Sequence, residues 1–331
     1  MQSWRPAPEY LSGGLGVRLS DVGEWGLIAR LRPFAGAEAL GFADDCALLQ
    51  PMGPQMLVST DAMVAGVHFD PAFMAWRDIG WRALAGALSD LAASGASGDA
   101  RYTVAIGMPE DFRVEDALAI YEGLSGCAES TGAALAGGDT VASRQVFIAV
   151  TVFASTRRAL LRQGAGVGDR LYCSGVLGAG AFGLEQARRG AAGAALDRFL
   201  RPTPRLALGR ALSEAGATAC VDVSDGLYME LKAIADASGV GIEVDEAALP
   251  VVADVPRDRA LRYAYGGGED YELVFTGPDD LLERIAAVET GVSCTAIGRV
   301  REAAAGLAVR RQGRSETLAP SGYSHFGGGD A

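Results

Sequence analysis

A chain of 331 residues, 49% hydrophobic and 21% charged, has the length of about two domains and enough apolar content to build both cores, which excludes a disordered protein. Its formal net charge of −12 argues against a general affinity for nucleic acid or for an anionic membrane, though not against a small anionic ligand held through bound metal. No apolar run reaches the ~18 residues of a membrane span, and the opening Met-Gln-Ser-Trp-Arg-Pro lacks the apolar core of a secretory signal, so a cytoplasmic protein is expected.

Residues 1–20 are rich in proline and glycine and read as an extension. Glu24 to Arg32 has the spacing of a short amphipathic helix. Strands are expected over Cys46–Gln50 and Met56–Thr60, joined by a turn at Pro51–Pro54. Residues 75–94 read as a long helix with Ile79, Ala83, Leu84, Ala87, Leu88 and Leu91 on its apolar face. Arg101–Met108 is a strand, and Glu115–Ser130 a helix closing at Gly132. A short strand, Ala133–Ala136, runs into Gly137-Gly138-Asp139, and Val146–Ala154 alternates as a strand should. The turn-rich, basic stretch from Thr156 to Asp169 holds the expected boundary between domains at 21–155 and 156–331.

The second half repeats the mixture. Strands are expected at Arg170–Ser174, Ala219–Val223, Gly241–Val244, Tyr271–Thr276 and Cys294–Val300. Helices are expected at Ala181–Arg189, Pro204–Ala215, Leu227–Ala237 and Asp279–Val288. Strands and helices interleaved in both halves indicate two α/β domains, and no fixed-period repeat is present.

Acidic residues gather beside hydroxyls and glycines in short clusters: Asp44-Asp45, Ser59-Thr60-Asp61, Ser89-Asp90, Gly137-Gly138-Asp139, Asp222-Val223-Ser224-Asp225 and Gly266-Gly267-Gly268-Glu269-Asp270. Such oxygen-rich sets suit a hard cation such as Mg²⁺. Each has a plain structural alternative. Ser224 and Asp225 would serve as an ordinary helix cap, which still leaves Asp222 unexplained at a strand end. Ser59-Thr60-Asp61 would be a strand-ending turn, Asp44-Asp45 a solvated loop, Gly138-Asp139 a turn, and the triple glycine a flexible connection. Asp90, near a helix C-terminus, opposes the helix dipole unless a cation is close. The recurrence of one chemistry at six sites, expected at strand and helix ends, favours a shared functional site.

Absences narrow the chemistry. The single lysine, Lys232, follows Glu230-Leu231 rather than a glycine-rich loop, so a Walker A loop is excluded. Two histidines, His68 and His325, cannot make a three-histidine zinc site. Cys46, Cys127, Cys173, Cys220 and Cys294 are far apart and odd in number, which fits a reducing compartment and contains no CxxC motif. Gly178-Ala179-Gly180-Ala181-Phe182-Gly183 matches the GxGxxG pattern, with Asp197 at a plausible distance. A dinucleotide site needs that acid on a second strand, and Ala194–Leu200 reads as helix or loop. A nicotinamide oxidoreductase and a non-catalytic acidic metal-binding protein are therefore weaker alternatives. Arg162 lies in a basic patch, Arg157 to Arg162, where one arginine can clamp a phosphate.

Taken together, the segments GEWGLIARL, DDCALL, STDAMVAGVHF, LSDLAASGA, GGDT, RRALLRQGA, RPTPR, VDVSDGL, GGGEDYELVFT and GYSHF resemble the thiamine-monophosphate kinase family, in the family's order and over nearly the whole chain. The wider superfamily includes aminoimidazole ribonucleotide synthetase and selenophosphate synthetase, so a sister ATP-dependent synthetase is the nearest alternative. The resemblance implies an α/β fold of two mixed domains of the aminoimidazole ribonucleotide synthetase-like type, the N-terminal one forming a homodimer and the metal and ATP site. It implies ATP-dependent phosphorylation of thiamine monophosphate to thiamine diphosphate, with several Mg²⁺ ions. By the same resemblance, Asp45, Ser59, Thr60, Asp61, Asp90, Asp139, Asp222 and Asp225 would bind metal. Gly138, Asp139, Arg162 and Ser224 would contact ATP, and His68, Glu269 and Tyr323 would contact thiamine phosphate. Asp222, Asp225 and Asp139 are the residues expected at the chemistry. The chain departs from the family at Ala43, where glycine is usual, and after Gly178, where Asp-Ser is expected.

Overall fold

The computed structural model describes residues 16–36 and 53–323. The strand expected at Cys46–Gln50, the expected metal ligand Asp45 and His325 lie outside them. The described chain divides into two compact units. One takes the residues up to Ala87 together with Gly98–Ser155, and the other takes Leu88–Ser97 together with the residues from Thr156 onward.

The first unit is built on four strands, β1 (Gln55–Val64), β2 (Arg101–Met108), β3 (Ala134–Ala142) and β4 (Phe147–Thr156), in the order β1-β4-β2-β3. β2 pairs antiparallel with β4 and parallel with β3. Period-two alternation buries Tyr102, Val104 and Ile106 of β2 and Ile148, Val150 and Val152 of β4. Three helices accompany the sheet: α1 (Leu19–Leu31), α2 (Trp76–Ala93) and α3 (Val114–Thr131). α1 starts ahead of the expected Glu24, and Gly23, at φ 64 and ψ 180, breaks it into two helical pieces. α3 ends at Gly132 in the left-handed conformation, as its sequence implies.

Two expectations about strand ends fail here. β1 continues to Val64 and β3 to Ala142, so Ser59-Thr60-Asp61 and Gly137-Gly138-Asp139 lie inside strands. Extended residues follow each cluster, and the β2–β3 ladder runs on to Met108 opposite Ala142. A polar triplet or a glycine pair does not end a strand whose partner keeps offering hydrogen bonds.

The second unit holds seven strands: β5 (Arg170–Ser174), β6 (Ala219–Asp222), β7 (Gly241–Asp245), β8 (Leu273–Gly277), β9 (Cys294–Arg301), β10 (Leu307–Arg311) and β11 (Arg314–Thr317). Their order is β11-β10-β7-β9-β5-β8-β6, with β7 and β10 parallel and the other neighbours antiparallel. Helices α4 (Ala179–Arg188), α5 (Ala194–Leu200), α6 (Leu206–Ala215), α7 (Leu227–Ser238), α8 (Arg257–Gly266) and α9 (Leu281–Ile285) complete the unit.

Both faces of this sheet are covered. Leu171, Val221 and Val274 pack with Leu227, Leu231 and Ile234 of α7 and Ala264 of α8. Their strand neighbours Tyr172, Cys220 and Phe275 turn to the other face, against Leu208 and Leu212 of α6 and Leu281 and Ile285 of α9. α8 and the β10–β11 hairpin escape the sequence analysis for a shared reason. α8 buries few apolar side chains (Ala260, Ala264 and Tyr265), and β11 buries none, so neither shows a clear period. The described cysteines, Cys127, Cys173, Cys220 and Cys294, are free thiols. Among the described residues no helix is long and apolar enough to cross a membrane.

α2 and α3 approach closely through glycine. A Cβ on Gly123 would lie 1.9 Å from the Arg77 carbonyl oxygen, and one on Gly80 would lie 2.0 Å from that of Ile120. On an open helix, alanine for glycine would stabilise by about 1 kcal/mol. Gly123→Ala should instead destabilise by roughly 1–3 kcal/mol, because the backbones must part. Urea unfolding of the two proteins measures the sign.

Candidate active site

The site is clearest in the second unit, where three segments distant in sequence are tied together by backbone hydrogen bonds. Three successive carbonyls accept from them: Val223 from the Tyr271 N–H at 2.9 Å, Ser224 from the Glu269 N–H at 2.8 Å, and Asp225 from the Tyr323 N–H at 3.1 Å. The Val223 N–H donates in turn to the Glu272 carbonyl at 2.8 Å. Asp222, Ser224, Asp225, Glu269 and Tyr323, all expected from sequence, are thereby gathered on one loop cluster. Asp222 closes β6 and is 4% exposed, Ser224 and Asp225 are half-buried, and the Tyr323 side chain is exposed.

The capping alternative for Ser224 and Asp225 does not hold. The N-cap of α7 is Gly226, with no side-chain cap bond. The Asp225 N–H is taken instead by Glu230 Oε1 at 3.1 Å. Burial pushes the Glu230 carboxyl up to about 7, against the pull of the Asp225 N–H and of the Arg162 guanidinium. Arg162 thus acts electrostatically on the same cluster, and its carbonyl accepts from Ser238 Oγ at 3.2 Å.

The first-unit candidates are more dispersed. Ser59 and Asp61 share one face of β1, while Thr60 turns to the other, where its Oγ1 meets Thr151 Oγ1 at 2.9 Å. Asp139 sits exposed on β3, and its Oδ1 accepts the Thr140 N–H at 2.8 Å. β1 and β3 are the two outer strands of this sheet, three strand spacings apart, or about 14 Å in a flat sheet. Gly138 has a packing reason of its own: a Cβ there would stand 2.1 Å from the Val104 carbonyl oxygen. His68 follows β1, and its Nδ1 accepts the Val64 N–H at 3.1 Å, which places the ring proton on Nε2. Asp90 lies half-buried in the last turn of α2, a stretch that clusters with the second unit.

Among the described residues, no group of three or more His, Cys, Asp or Glu side chains forms a ready-made metal site. The donors are nevertheless all hard oxygens, and Mg²⁺ is commonly held by one or two carboxylates with substrate phosphates and water completing its shell. The donor set is chemically compatible with Mg²⁺.

The GxGxxG turn has an occupant. At the start of α4, Asp270 Oδ2 accepts the Gly178 N–H at 2.7 Å and Oδ1 accepts the Gly180 N–H at 2.8 Å. An internal carboxylate fills the place where a dinucleotide would lay its pyrophosphate. Asp197 lies in α5, not on a strand. Both observations remove the nicotinamide reading.

Residues 43–156 match the domain described as AIR synthase related protein, N-terminal domain, and residues 166–309 match its C-terminal counterpart. The thiamine-monophosphate kinase of Salmonella typhimurium is 38% identical over 331 residues, covering 92% of this chain and 98% of the relative. The chain belongs to the thiamine-monophosphate kinase family. A crystal structure of thiamine-monophosphate kinase from Stenotrophomonas maltophilia is 36% identical, with a TM-score of 0.75, over 85% of this chain and 94% of that one. The structure described as AaThiL complexed with AMPPCP and TMP is 30% identical, with a TM-score of 0.72, over 95% and 100% of the two chains. The expected family and the expected two-domain α/β fold are both borne out.

In this member of the thiamine-monophosphate kinase family, the residues that sequence reasoning missed lie just behind the loop cluster. Arg205 grips Glu272 with two hydrogen bonds, Nε to Oε2 at 2.8 Å and Nη2 to Oε1. Ser174 Oγ also donates to Glu272 Oε2 and accepts the Leu273 N–H at 2.9 Å. The Glu272 side chain is 3% exposed and that of Arg205 16%. The only sequence signal was an acid placed one residue before an apolar strand, together with the RPTPR segment. Arg205→Ala should leave a buried, uncompensated carboxylate and cost roughly 3–5 kcal/mol of stability. A urea midpoint unchanged from that of the wild type would refute this reading of the pair.

Proposed function

We propose that this protein phosphorylates thiamine monophosphate to thiamine diphosphate, using ATP and releasing ADP. The observation that carries the reading is the loop cluster. Its backbone hydrogen bonds join the Asp222–Asp225 segment, which carries two carboxylates and a hydroxyl, to the segments that carry the Glu269 carboxylate and the Tyr323 ring. Relatives that carry the thiamine-monophosphate kinase name along nearly their whole length, and a related structure described with an ATP analogue and TMP, support the same acceptor and donor.

The chemistry is a direct in-line transfer. A terminal oxygen of the thiamine phosphate attacks the γ-phosphorus of ATP. The bond from that phosphorus to the β–γ bridging oxygen breaks, and ADP leaves with its electrons. A phosphate monoester has a second pKa of about 6, so the acceptor is substantially ionised at neutral pH and needs no general base. That agrees with the scarcity of histidine and with a His68 whose Nδ1 is engaged by backbone. The obstacle is repulsion between anions, roughly 4 kcal/mol for two unit charges at 4 Å and an effective dielectric of 20. Mg²⁺, when bound, supplies the charge that offsets it.

The residues proposed to hold Mg²⁺ are Asp222, Asp225 and Asp90, and Ser59, Thr60, Asp61 and Asp139 of the first unit, with Asp45. Arg162, Ser224 and Gly138 are assigned to ATP, and His68, Glu269 and Tyr323 to thiamine phosphate. Homodimerisation, as in the resemblance, completes the proposal.

The deciding assay mixes the protein with Mg-ATP and thiamine phosphate and measures thiamine diphosphate, with free thiamine as a parallel acceptor. Product from thiamine phosphate alone, with no stable label left on the protein by γ-labelled ATP, is the expected result. ATP consumption without that product would point to a sister synthetase. In the same assay Asp222→Asn should lower kcat by on the order of 100-fold. Asp21→Asn, at a surface carboxylate that accepts the Arg18 N–H, should stay within about twofold. Equal activities would refute the ligand role of Asp222.

Tyr323 is 46% exposed and is assigned to the cationic thiazolium ring. A cation–π contact of about 0.5–2 kcal/mol corresponds to a ~2- to 30-fold rise in KM for thiamine phosphate in Tyr323→Ala, with KM for ATP little changed. An unchanged KM for thiamine phosphate would sink that assignment.

A further inference from the structure

Three described residues that carry side chains have positive φ: Gln312, at 48 in the β10–β11 turn, and Glu269 and Tyr271, at 64 and 50, which flank Asp270. L residues take up that region only when their surroundings impose it, and such strain concentrates where function needs a fixed geometry. The surroundings here are explicit. The N–H groups of Glu269 and Tyr271 are bound to the carbonyls of Ser224 and Val223. Between them, Asp270 turns the opposite way and seats both carboxylate oxygens on the N–H groups of Gly178 and Gly180. On the far side Glu272 is gripped by Arg205 and Ser174. The division is simple: the backbones of Glu269, Tyr271 and Glu272 bind the Val223–Ser224 backbone, and the side chains of Asp270 and Glu272 bind the scaffold.

Gly180 shows how tightly the two parts meet. A Cβ at that position would lie 2.4 Å from the Glu269 carbonyl oxygen and 2.7 Å from that of Gly268. The GxGxxG turn that offers no dinucleotide site therefore has another task. It is shaped to receive the Gly268–Asp270 backbone and to hold one internal carboxylate on its N–H groups and helix dipole.

We propose that Asp270 is a positioning residue for the reaction. Its carboxylate, anchored on the Gly178 and Gly180 N–H groups, holds Glu269 in its left-handed conformation and so sets the Glu269 side chain for thiamine phosphate. The substrate half of this inference rests on the function proposed above; the anchoring half does not. Asp270 itself touches no substrate. Losing it should affect thiamine monophosphate far more than ATP, since Glu269 is assigned to the former, and of the residues assigned to ATP only Ser224 meets this segment, through its carbonyl and not its side chain.

The test uses the full chain and the Asp270→Asn variant, in which an amide NH₂ must face one of the two glycine N–H groups. Hydrogen exchange is read at the amides of Glu269 and Tyr271. Binding is measured for thiamine monophosphate and, separately, for AMPPCP. The expected result is exchange at those two amides faster by about tenfold or more, with β5 and β8 unchanged. The Kd for thiamine monophosphate should rise by about tenfold or more, while that for AMPPCP stays within about twofold. Gly180→Ala, which alters no charge, should give the same signature by pushing directly on the Glu269 carbonyl, and it carries the test if Asp270→Asn does not fold. Glu269→Gln should weaken thiamine monophosphate binding with exchange unchanged. Wild-type exchange in both Asp270→Asn and Gly180→Ala, or equal weakening of both ligands, overturns the inference. A wild-type protein that does not bind thiamine monophosphate overturns the functional reading instead, and exchange at Glu269 and Tyr271 then decides the anchoring by itself.

Discussion

Three consecutive carbonyl groups, those of Val223, Ser224 and Asp225, are the constraint on which the second unit's site depends. A loop that leaves a buried strand end has backbone groups that must find partners. Here the partners come from the segment before β8 and from the last described residues of the chain. Satisfying the backbone of one acidic loop therefore recruits Glu269 and Tyr323 beside Asp222 and Asp225. The segments that carry the candidate side chains are neighbours because their backbones are bonded.

That arrangement needs support for a physical reason. Carboxylates brought close together repel, so they stay in place only when something other than their mutual contact holds them. The holding is done by anchors one to five residues away along the chain. Asp270 lies on the N-terminus of α4, Glu272 in the fork of Arg205, and Glu230 against the Asp225 N–H. Each anchor is itself acidic, so part of the chain's acidic content belongs to an internal framework. Buried carboxylates of this kind add little net stability.

The largely antiparallel sheet of the second unit also bears on function. In doubly wound parallel sheets, ligands collect where strand order reverses, and a glycine-rich turn after the first strand takes the phosphate. Here β5 runs antiparallel to both of its neighbours, and the turn that follows it meets an internal carboxylate. A sequence pattern shared with dinucleotide enzymes therefore has a different physical use: close approach of two backbones.

The sequence by itself determined the composition of the site and the order of its parts. Acid, hydroxyl and glycine clusters are local, and so are the alternation of β4 and the Gly132 stop of α3. All are legible because the physics that sets them acts over a few residues. It also carried the family resemblance, since ten short segments in fixed order need no coordinates. Only the tertiary structure decided where strands ended. A strand persists as long as a neighbour offers hydrogen bonds, which is why Asp61 and Asp139 fall inside β1 and β3. It likewise decided that Ser224 and Asp225 are not caps, that Asp270 fills the GxGxxG turn, and that Arg205 belongs to Glu272. Those facts depend on contacts between residues far apart along the chain, and no local pattern of charge or hydropathy encodes which buried arginine will meet which buried acid.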